Sequence, residues 1–569
     1  MLKVLTYRHK CEQVMMNRGD RFAFRATQRA PRSCSSCASR KVKCDKAIPC
    51  ASCIRRGEAE ACARETVIVR GKVKKATDTP SLPTDDDLQS ENARLAAELK
   101  SLKDRQAVGL SVFRGSGEPS PLSSSDSIEE ALWSKVCPLT VTTRPTVASW
   151  NDIVLPSKAC SDVLIAYDKT WNSWVHCALE YPLFIQDCDR FFETTVGGTR
   201  LEEVDHSWLS IYFSVLCTAL LMMDDNSAAN LTLPYDLEPQ VLNRNWYDAA
   251  IFCLHQADFL RKPAIGNVQA IAILGMCFNN FGDPDLGNHM WSAAIRIGKR
   301  LNLNTGSSQL AAPLSAEGQH RLWWTLVIVE WLAAPYHPPQ VDEADFNVPL
   351  PSTGVVSLEE RDLDPIHYHI FMARLATVYH RFSMAVRTSL VPLGEIVRVA
   401  DSQLAEIIDT LPELLQPDHT DNEIVQELEL AQPWIKWQRF DITVVLLHHR
   451  IRINRTLQRH WRESPGQYSW ARSVSVQSSL DIVWISRHWD QPASIRKQWA
   501  LSYHIFVAAL LLFRESQDSN DEEKNGYIQA IETALKLLDD VKSRNAVAHH
   551  AAVLLRGLLG SSNSNTSND

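Results

Sequence analysis

The chain of 569 residues is notable first for the signatures it lacks. It has no G-x-x-x-x-G-K-S/T phosphate loop, no G-x-S-x-G nucleophile elbow and no H-E-x-x-H metal helix. Nucleotide hydrolysis, acyl transfer and zinc-protease chemistry therefore lack residues at the spacing they need. No apolar run reaches the ~18 residues of a membrane-spanning helix. The nearest, Trp208 to Met223, is broken by serines and a cysteine. Residues 1–30 hold no continuous apolar signal core, which argues against an oxidising compartment and a disulfide scaffold. No histidine lies between Cys11 and Cys137, so the cysteine-rich head cannot supply the mixed ligand sets of RING or LIM modules. No internal repeat points to a solenoid.

What the head does contain is six cysteines at Cys34, Cys37, Cys44, Cys50, Cys53 and Cys62, spaced C-x2-C-x6-C-x5-C-x2-C-x8-C. Each half is a Cys-x-x-Cys followed by one more cysteine. Zinc takes four tetrahedral ligands, and six thiolates serve two ions only if two are shared. The pattern suggests a two-metal cluster in which one cysteine of each half bridges. About 29 residues cannot bury enough apolar surface alone, so the metals must supply the folding free energy. Arg40, Lys41 and Lys43 lie between the second and third cysteines, and Arg55 and Arg56 follow the fifth. Cations held on metal-tethered helical turns can bond phosphate oxygens or the O6 and N7 of guanine.

With those residues in view, the segment resembles the fungal Zn2Cys6 binuclear-cluster transcription factors. Their basic stretch, Cys-Asp step and proline before the fourth cysteine read here as Arg40-Lys41-Val42-Lys43-Cys44-Asp45 and Pro49-Cys50. The resemblance implies two Zn2+ per chain, Cys34 and Cys50 as the bridging thiolates, and Lys41 as the side chain that reads a CGG-type triplet. Ala38 departs from the family, which commonly carries arginine there.

Charge is unevenly distributed. Residues 1–75 hold 19 Lys/Arg and 6 Asp/Glu, a net of +13, so the chain total of −8 leaves −21 for the rest. Such a basic head on an acidic body suits nucleic-acid binding through the head. Residues 1–33 read as a basic leader, a disordered one in preference to a flexible arm that touches phosphates, and 63–84 as a basic linker that could serve nuclear import with the cluster. In 85–107, Leu88, Leu95 and Leu102 recur every seventh residue, with Asn92 and Leu99 at the intervening positions. This predicts a short dimerising coiled coil, with Asn92 setting a two-stranded register. Residues 108–129 read as a flexible Gly/Ser/Pro linker and 559–569 as a disordered tail.

From 130 to 558 helical periodicity dominates, as in Trp246–Leu260, Val268–Phe281, Met290–Leu301 and Gln319–Ala333. Three stretches resemble the fungal-specific transcription factor domain: Ala257 to Pro263 with Gln269, Met290 to Leu303, and Arg321 to Leu326 followed by Val341-Asp342 and Val348 to Pro351. The segment Ala333 to Pro339 departs from the family's usual turn. His448-His449 and His549-His550 are adjacent on helices, so their side chains diverge and chelate poorly. Residues 401–435 carry nine Asp/Glu and no Lys/Arg. Their leucines and isoleucines sit at helical spacing, which favours a packed helix with an acidic face over an activation segment.

The expected architecture is mainly α: a two-zinc cysteine module, a short coiled coil and a large all-α regulatory domain. The resemblance implies pathway-specific control, such as of a biosynthetic gene set, and the expected function is that of a nuclear, non-enzymatic regulator of RNA polymerase II transcription. It binds double-stranded DNA as a homodimer and engages coactivators or the transcription machinery, with no membrane. The rivals are a zinc adaptor without base readout and a DNA-tethered enzyme with a helical catalytic body.

Overall fold

The computed structural model describes residues 25–27, 33–47, 49–58, 62, 67–69, 72–74, 145–306, 314–333, 339–352, 364–417, 423–464, 466–489 and 493–565. The expected coil (85–107) with Leu88, Asn92, Leu95, Leu99 and Leu102 lies outside these residues, as do the 108–129 linker and the 334–338 part of the departing turn. The chain divides into two compact units, 1–118 and 119–569.

The first unit contains strand β1 (Arg25–Thr27), helices α1 (Ser35–Ser39) and α2 (Ala51–Ile54), and strands β2 (Val67–Val69) and β3 (Lys72–Lys74). β1 pairs parallel to β2 with Arg25 opposite Val67, and β2 pairs antiparallel to β3 with Val69 opposite Lys72. β1 falls within the basic leader 1–33, and β2 and β3 fall within the basic linker 63–84. The run Val67-Ile68-Val69 is β-branched throughout, which favours extended backbone, and a parallel partner must come from elsewhere in the chain.

The second unit is helical. Its first part comprises α3 (Lys158–Trp171), α4 (Ser173–His176), α5 (Tyr181–Val196), α6 (His206–Met222), α7 (Asp225–Ala229), α8 (Pro239–Gln256), α9 (Ile265–Leu274), α10 (Pro284–Arg300) and α11 (Ala316–Ala333). Its second part comprises α12 (Ile366–Thr388), α13 (Leu393–Ile408), α14 (Glu423–Ala431), α15 (Trp434–Asn454), α16 (Gln458–Glu463), α17 (Ser469–His488), α18 (Trp499–Ser516), α19 (Asp521–Asp539) and α20 (Ala546–Asn565). Helix α20 runs through most of the expected 559–569 tail, because once a helix is nucleated each further residue adds a hydrogen bond.

Two hydrophobic cores fill this unit. The first gathers around α6, which Asp205 starts by accepting from the Ser207 and Trp208 N–H groups and which is buried from Leu209 to Met222. That burial on every side explains why the stretch resembles a membrane span in sequence. No helix of the described residues is long and apolar enough to cross a membrane. The second core surrounds α15, with Trp437, Phe440, Ile442 and Val444 fully buried. Helix α12 serves both, giving Ala373 and Ala376 to the first and Phe371, Leu375 and Tyr379 to the second. Polar ties join the halves: Lys497 Nζ donates to Asp225 Oδ1 at 2.9 Å, and Asn280 Nδ2 donates to the Lys497 carbonyl at 2.7 Å.

Two tryptophans tie together segments that lie apart in sequence. Trp324 Nε1 donates to the Pro349 carbonyl at 2.8 Å, and Trp331 Nε1 donates to the Val341 carbonyl at 2.8 Å. In the acidic stretch, Leu404, Ile407, Leu411 and Leu415 are buried. His448 and His449 are core residues, and His448 lies against His504 with ring centroids 4.1 Å apart.

Candidate metal centre and nucleic-acid interface

Both cysteine halves are built on one local plan, sixteen residues apart. Cys34 and Cys50 cap α1 and α2 in extended conformation (φ −68° and −79°), placing their sulfurs at the positive ends of short helices. The Cys37 N–H donates to Cys34 Sγ at 3.4 Å, and the Cys50 N–H donates to Cys62 Sγ at 3.2 Å. Asp45 ties the halves: its Oδ2 accepts from the Ala51 N–H at 2.9 Å and its Oδ1 from the Ala47 N–H at 3.2 Å. The aspartate after the third cysteine thus anchors the first turn of the second helix.

Each helix ends in the same double carbonyl cap. In the first half Val42 N donates to Cys37 O at 3.1 Å and Lys41 N to Ala38 O at 3.2 Å. In the second, Glu58 N donates to Cys53 O at 3.0 Å and Gly57 N to Ile54 O at 3.0 Å. This cap needs a left-handed residue. Gly57 meets the need at φ +72°, whereas the first half places Lys41 there at φ +54°.

The six sulfurs converge. Cys34, Cys37, Cys44 and Cys50 form one group and Cys34, Cys50, Cys53 and Cys62 another, each with its sulfurs within 4.8 Å of one another. The two groups share Cys34 and Cys50. Cys34–Cys50 and Cys34–Cys53 are 3.8 Å apart and Cys37–Cys50 3.6 Å. A tetrahedral site with Zn–S bonds of about 2.3 Å has sulfur–sulfur edges of about 3.8 Å, so the donor set fits zinc in size and chemistry. Backbone donation from Cys53 heads the causes that draw the Cys50 thiol down to about 6. At Cys34 burial pushes upward, but Cys37 and the neighbouring thiols bring the net value below the ordinary one. Burial pushes Cys37 up to about 12 and raises Cys53 further.

Arg40, Lys41, Lys43, Arg55 and Arg56 are all exposed. Two of them are engaged within the module. Arg40 Nη2 donates to Glu58 Oε1 at 2.8 Å, and Arg55 Nε donates to the Ala51 carbonyl at 3.4 Å. Glu58 escaped the sequence reading, because the pair spans eighteen residues and no local pattern marks it.

In the helical unit a polar cluster around Asp168 is sealed from solvent. Asp168 Oδ2 accepts from Tyr181 Oη at 2.6 Å and lies 3.3 Å from His176 Nε2, while Oδ1 accepts from Asn172 Nδ2 at 2.8 Å. Asp168 and His176 are fully or almost fully buried. The cluster is a buried structural network, with Asn172 Oδ1 left without a hydrogen-bond partner.

Comparison with known proteins agrees with this geometry. A model of the fungal Zn(2)-Cys(6) binuclear cluster domain matches residues 32–66, and one of the fungal specific transcription factor domain matches residues 171–389. The second match ends where α12 does, so it takes in most of the first core and the shared helix. The aurofusarin cluster transcription factor aurR2 of Gibberella zeae is 22% identical over 366 residues, which are 58% of this chain and 49% of that protein. The chain therefore spans about half the length of that relative. The probable transcription factor lepB of Aspergillus flavus is 20% identical over 432 residues, 68% of this chain and 74% of that one. The solved structure of the K. lactis CBF3 core shares the fold, with a TM-score of 0.51 at 13% identity over 78% of this chain and 93% of that chain. These domains and relatives are those of transcription factors and not of enzymes. The chain thus carries, in order, a match to the fungal Zn(2)-Cys(6) binuclear cluster domain, which binds two zinc ions through six cysteines, and a match to the fungal specific transcription factor domain.

Proposed function

We propose that the chain regulates RNA polymerase II transcription in the nucleus by reading paired CGG-type triplets as a homodimer. The observation that carries base readout is Lys41: exposed, at the left-handed cap of a metal-tethered helix, next to the shared-cysteine core. Cys34 and Cys50 bridge the two zinc ions, Cys37 and Cys44 complete one site, and Cys53 and Cys62 complete the other. Lys41 donates to guanine, and Lys43 and Arg56 with the basic segment around Lys72 attract phosphates. Dimerisation rests on the leucine repeat of 85–107. Linking two weak contacts makes the second intramolecular and gains about 100-fold or more in avidity. The helical unit then acts on coactivators or the transcription machinery. The name of the aurofusarin cluster relative supports a pathway-specific, biosynthetic target set.

The test is selection from random duplexes by the full zinc-loaded chain. The expected product is a pair of CGG-type triplets at one fixed separation. Single triplets would leave a monomeric reader, and absence of any sequence preference at moderate salt would leave a zinc adaptor.

A further inference from the structure

We infer that Glu58 sets the DNA affinity of the cysteine module by holding Arg40 in an internal ion pair, a role that rests on the DNA-binding reading above. The two halves make its placement conspicuous. Arg40 and Arg56 occupy the same position in the two helix caps, sixteen residues apart, and Glu58 stands where the first half has Val42. Each backbone cap closes without help from the carboxylate, because Glu58 contributes only its N–H to the Cys53 carbonyl. The side chain is thus spare for Arg40, and it reaches across to the other half at 2.8 Å.

This pair lies in solvent, with Arg40 and Glu58 side chains 42% and 36% exposed. Exposed pairs add little to folding, so its consequence is electrostatic. Between Cys34 and Cys62 the side chains other than cysteine carry six Lys/Arg and three Asp/Glu. With two zinc ions and six thiolates contributing −2, the module is left at +1. Neutralising Glu58 alone raises that to +2. Arg40 also directly precedes Lys41, so a phosphate taken by Arg40 must either break the pair or accept a carboxylate beside it.

Phosphate contacts position the protein without carrying sequence information, so muting Arg40 weakens all duplexes alike and leaves the discrimination of Lys41 in place. The functional result is a module kept too weak to hold DNA alone, so that occupancy depends on two modules acting together.

The test compares the full zinc-loaded chain with its E58Q, E58D and R40A variants and the E58Q/R40A double variant. Binding is measured across a salt series on a two-triplet duplex and on a scrambled one. E58Q should tighten both duplexes on the order of five-fold near physiological salt and steepen the log–log salt slope by about 0.9 for each bound module. Their ratio should stay unchanged, and E58D should keep the parent slope. R40A should cost little alone and several-fold in the E58Q background. Two zinc ions per chain in every variant exclude misfolding as the cause. An unchanged slope in E58Q, an E58D that behaves like E58Q, or an equal cost of R40A in both backgrounds overturns the inference while leaving DNA binding intact. A parent chain that carries two zinc ions and binds neither duplex at low salt overturns the DNA-binding reading itself.

Discussion

In the cysteine unit the side chains removed from water are sulfurs, with Cys34 and Cys50 at 0% exposure, while its apolar residues Val42 and Ile54 stay 37% and 54% exposed. In the helical unit the fully buried side chains are Trp246, Trp323, Trp331 and Trp437 with their aliphatic neighbours. Among its described residues the first unit buries sulfurs and not apolar side chains, so its stability rests on metal–thiolate bonds. The other is held by two large apolar cores. The chain thus poses two stability problems of different kinds.

The largest expected effect comes from exchanging the perturbations. Cys50→Ser removes a sulfur common to both four-sulfur groups, so zinc per chain should fall below two and duplex binding should disappear. All 17 tryptophans lie beyond residue 130, so their fluorescence reports the helical unit alone. Its unfolding transition should be unchanged in Cys50→Ser. Trp437→Ala should do the reverse, lowering that transition by about 3–5 kcal/mol with zinc content retained. Trp437 packs against Trp171 and Trp174, each with ring centroids 5.5 Å away. A tryptophan transition that moves in Cys50→Ser would show that the units are coupled.

Acidification sharpens the contrast on the helical side. Burial draws His369 down to about 4 and His504 to about 3, and holds His448 and His449 well below the ordinary value of 6.5. The unfolded chain therefore takes up protons first as pH falls below 6.5. The stability these residues protect is full above that pH and is lost progressively down to the folded-state values. At pH 5 each should cost about 1–2 kcal/mol, read as a lower tryptophan unfolding midpoint than at pH 7. His504→Phe should flatten part of that dependence, and a midpoint equal at the two pH values would refute the account.

The same contrast decides what could be read from sequence. Zinc ligands in a small module must lie close along the chain, so spacing alone implied shared thiolates, and the basic residues between the cysteines pointed to DNA. Helices were visible through their periodicity, but their ends were less so. The run read as Val268–Phe281 stops as a helix at Leu274, and a side chain at Gly275 would collide with Trp291 at 2.7 Å. The division into two cores sharing α12 left no local mark, because Ala373 and Leu375 look alike to a periodicity and differ only in which core they enter. The Arg40–Glu58 pair and the β1–β2 pairing were hidden for a related reason, each joining residues whose chain neighbours say nothing of the partner.

The smallest effect lies within the cysteine unit, where the two halves share a backbone and differ at one cap. Gly57 takes its positive φ freely, whereas Lys41 adopts φ +54° with a Cβ that disfavours it. Glycine would fit both caps without strain, and a lysine at the first is in keeping with the base contact proposed for its side chain. Lys41→Ala and Lys41→Gly both remove the amine and should both lower discrimination at the triplet by about 1–3 kcal/mol. They should differ in the module itself. Alanine keeps the strained cap, while glycine relieves it and should stabilise the zinc-loaded state by up to about 1 kcal/mol. Competition with a chelator on the full chain reads this as slower and weaker zinc loss in Lys41→Gly than in Lys41→Ala or the parent. Equal chelator midpoints in all three would mean that the cap carries no strain, and that the halves differ in side chain alone.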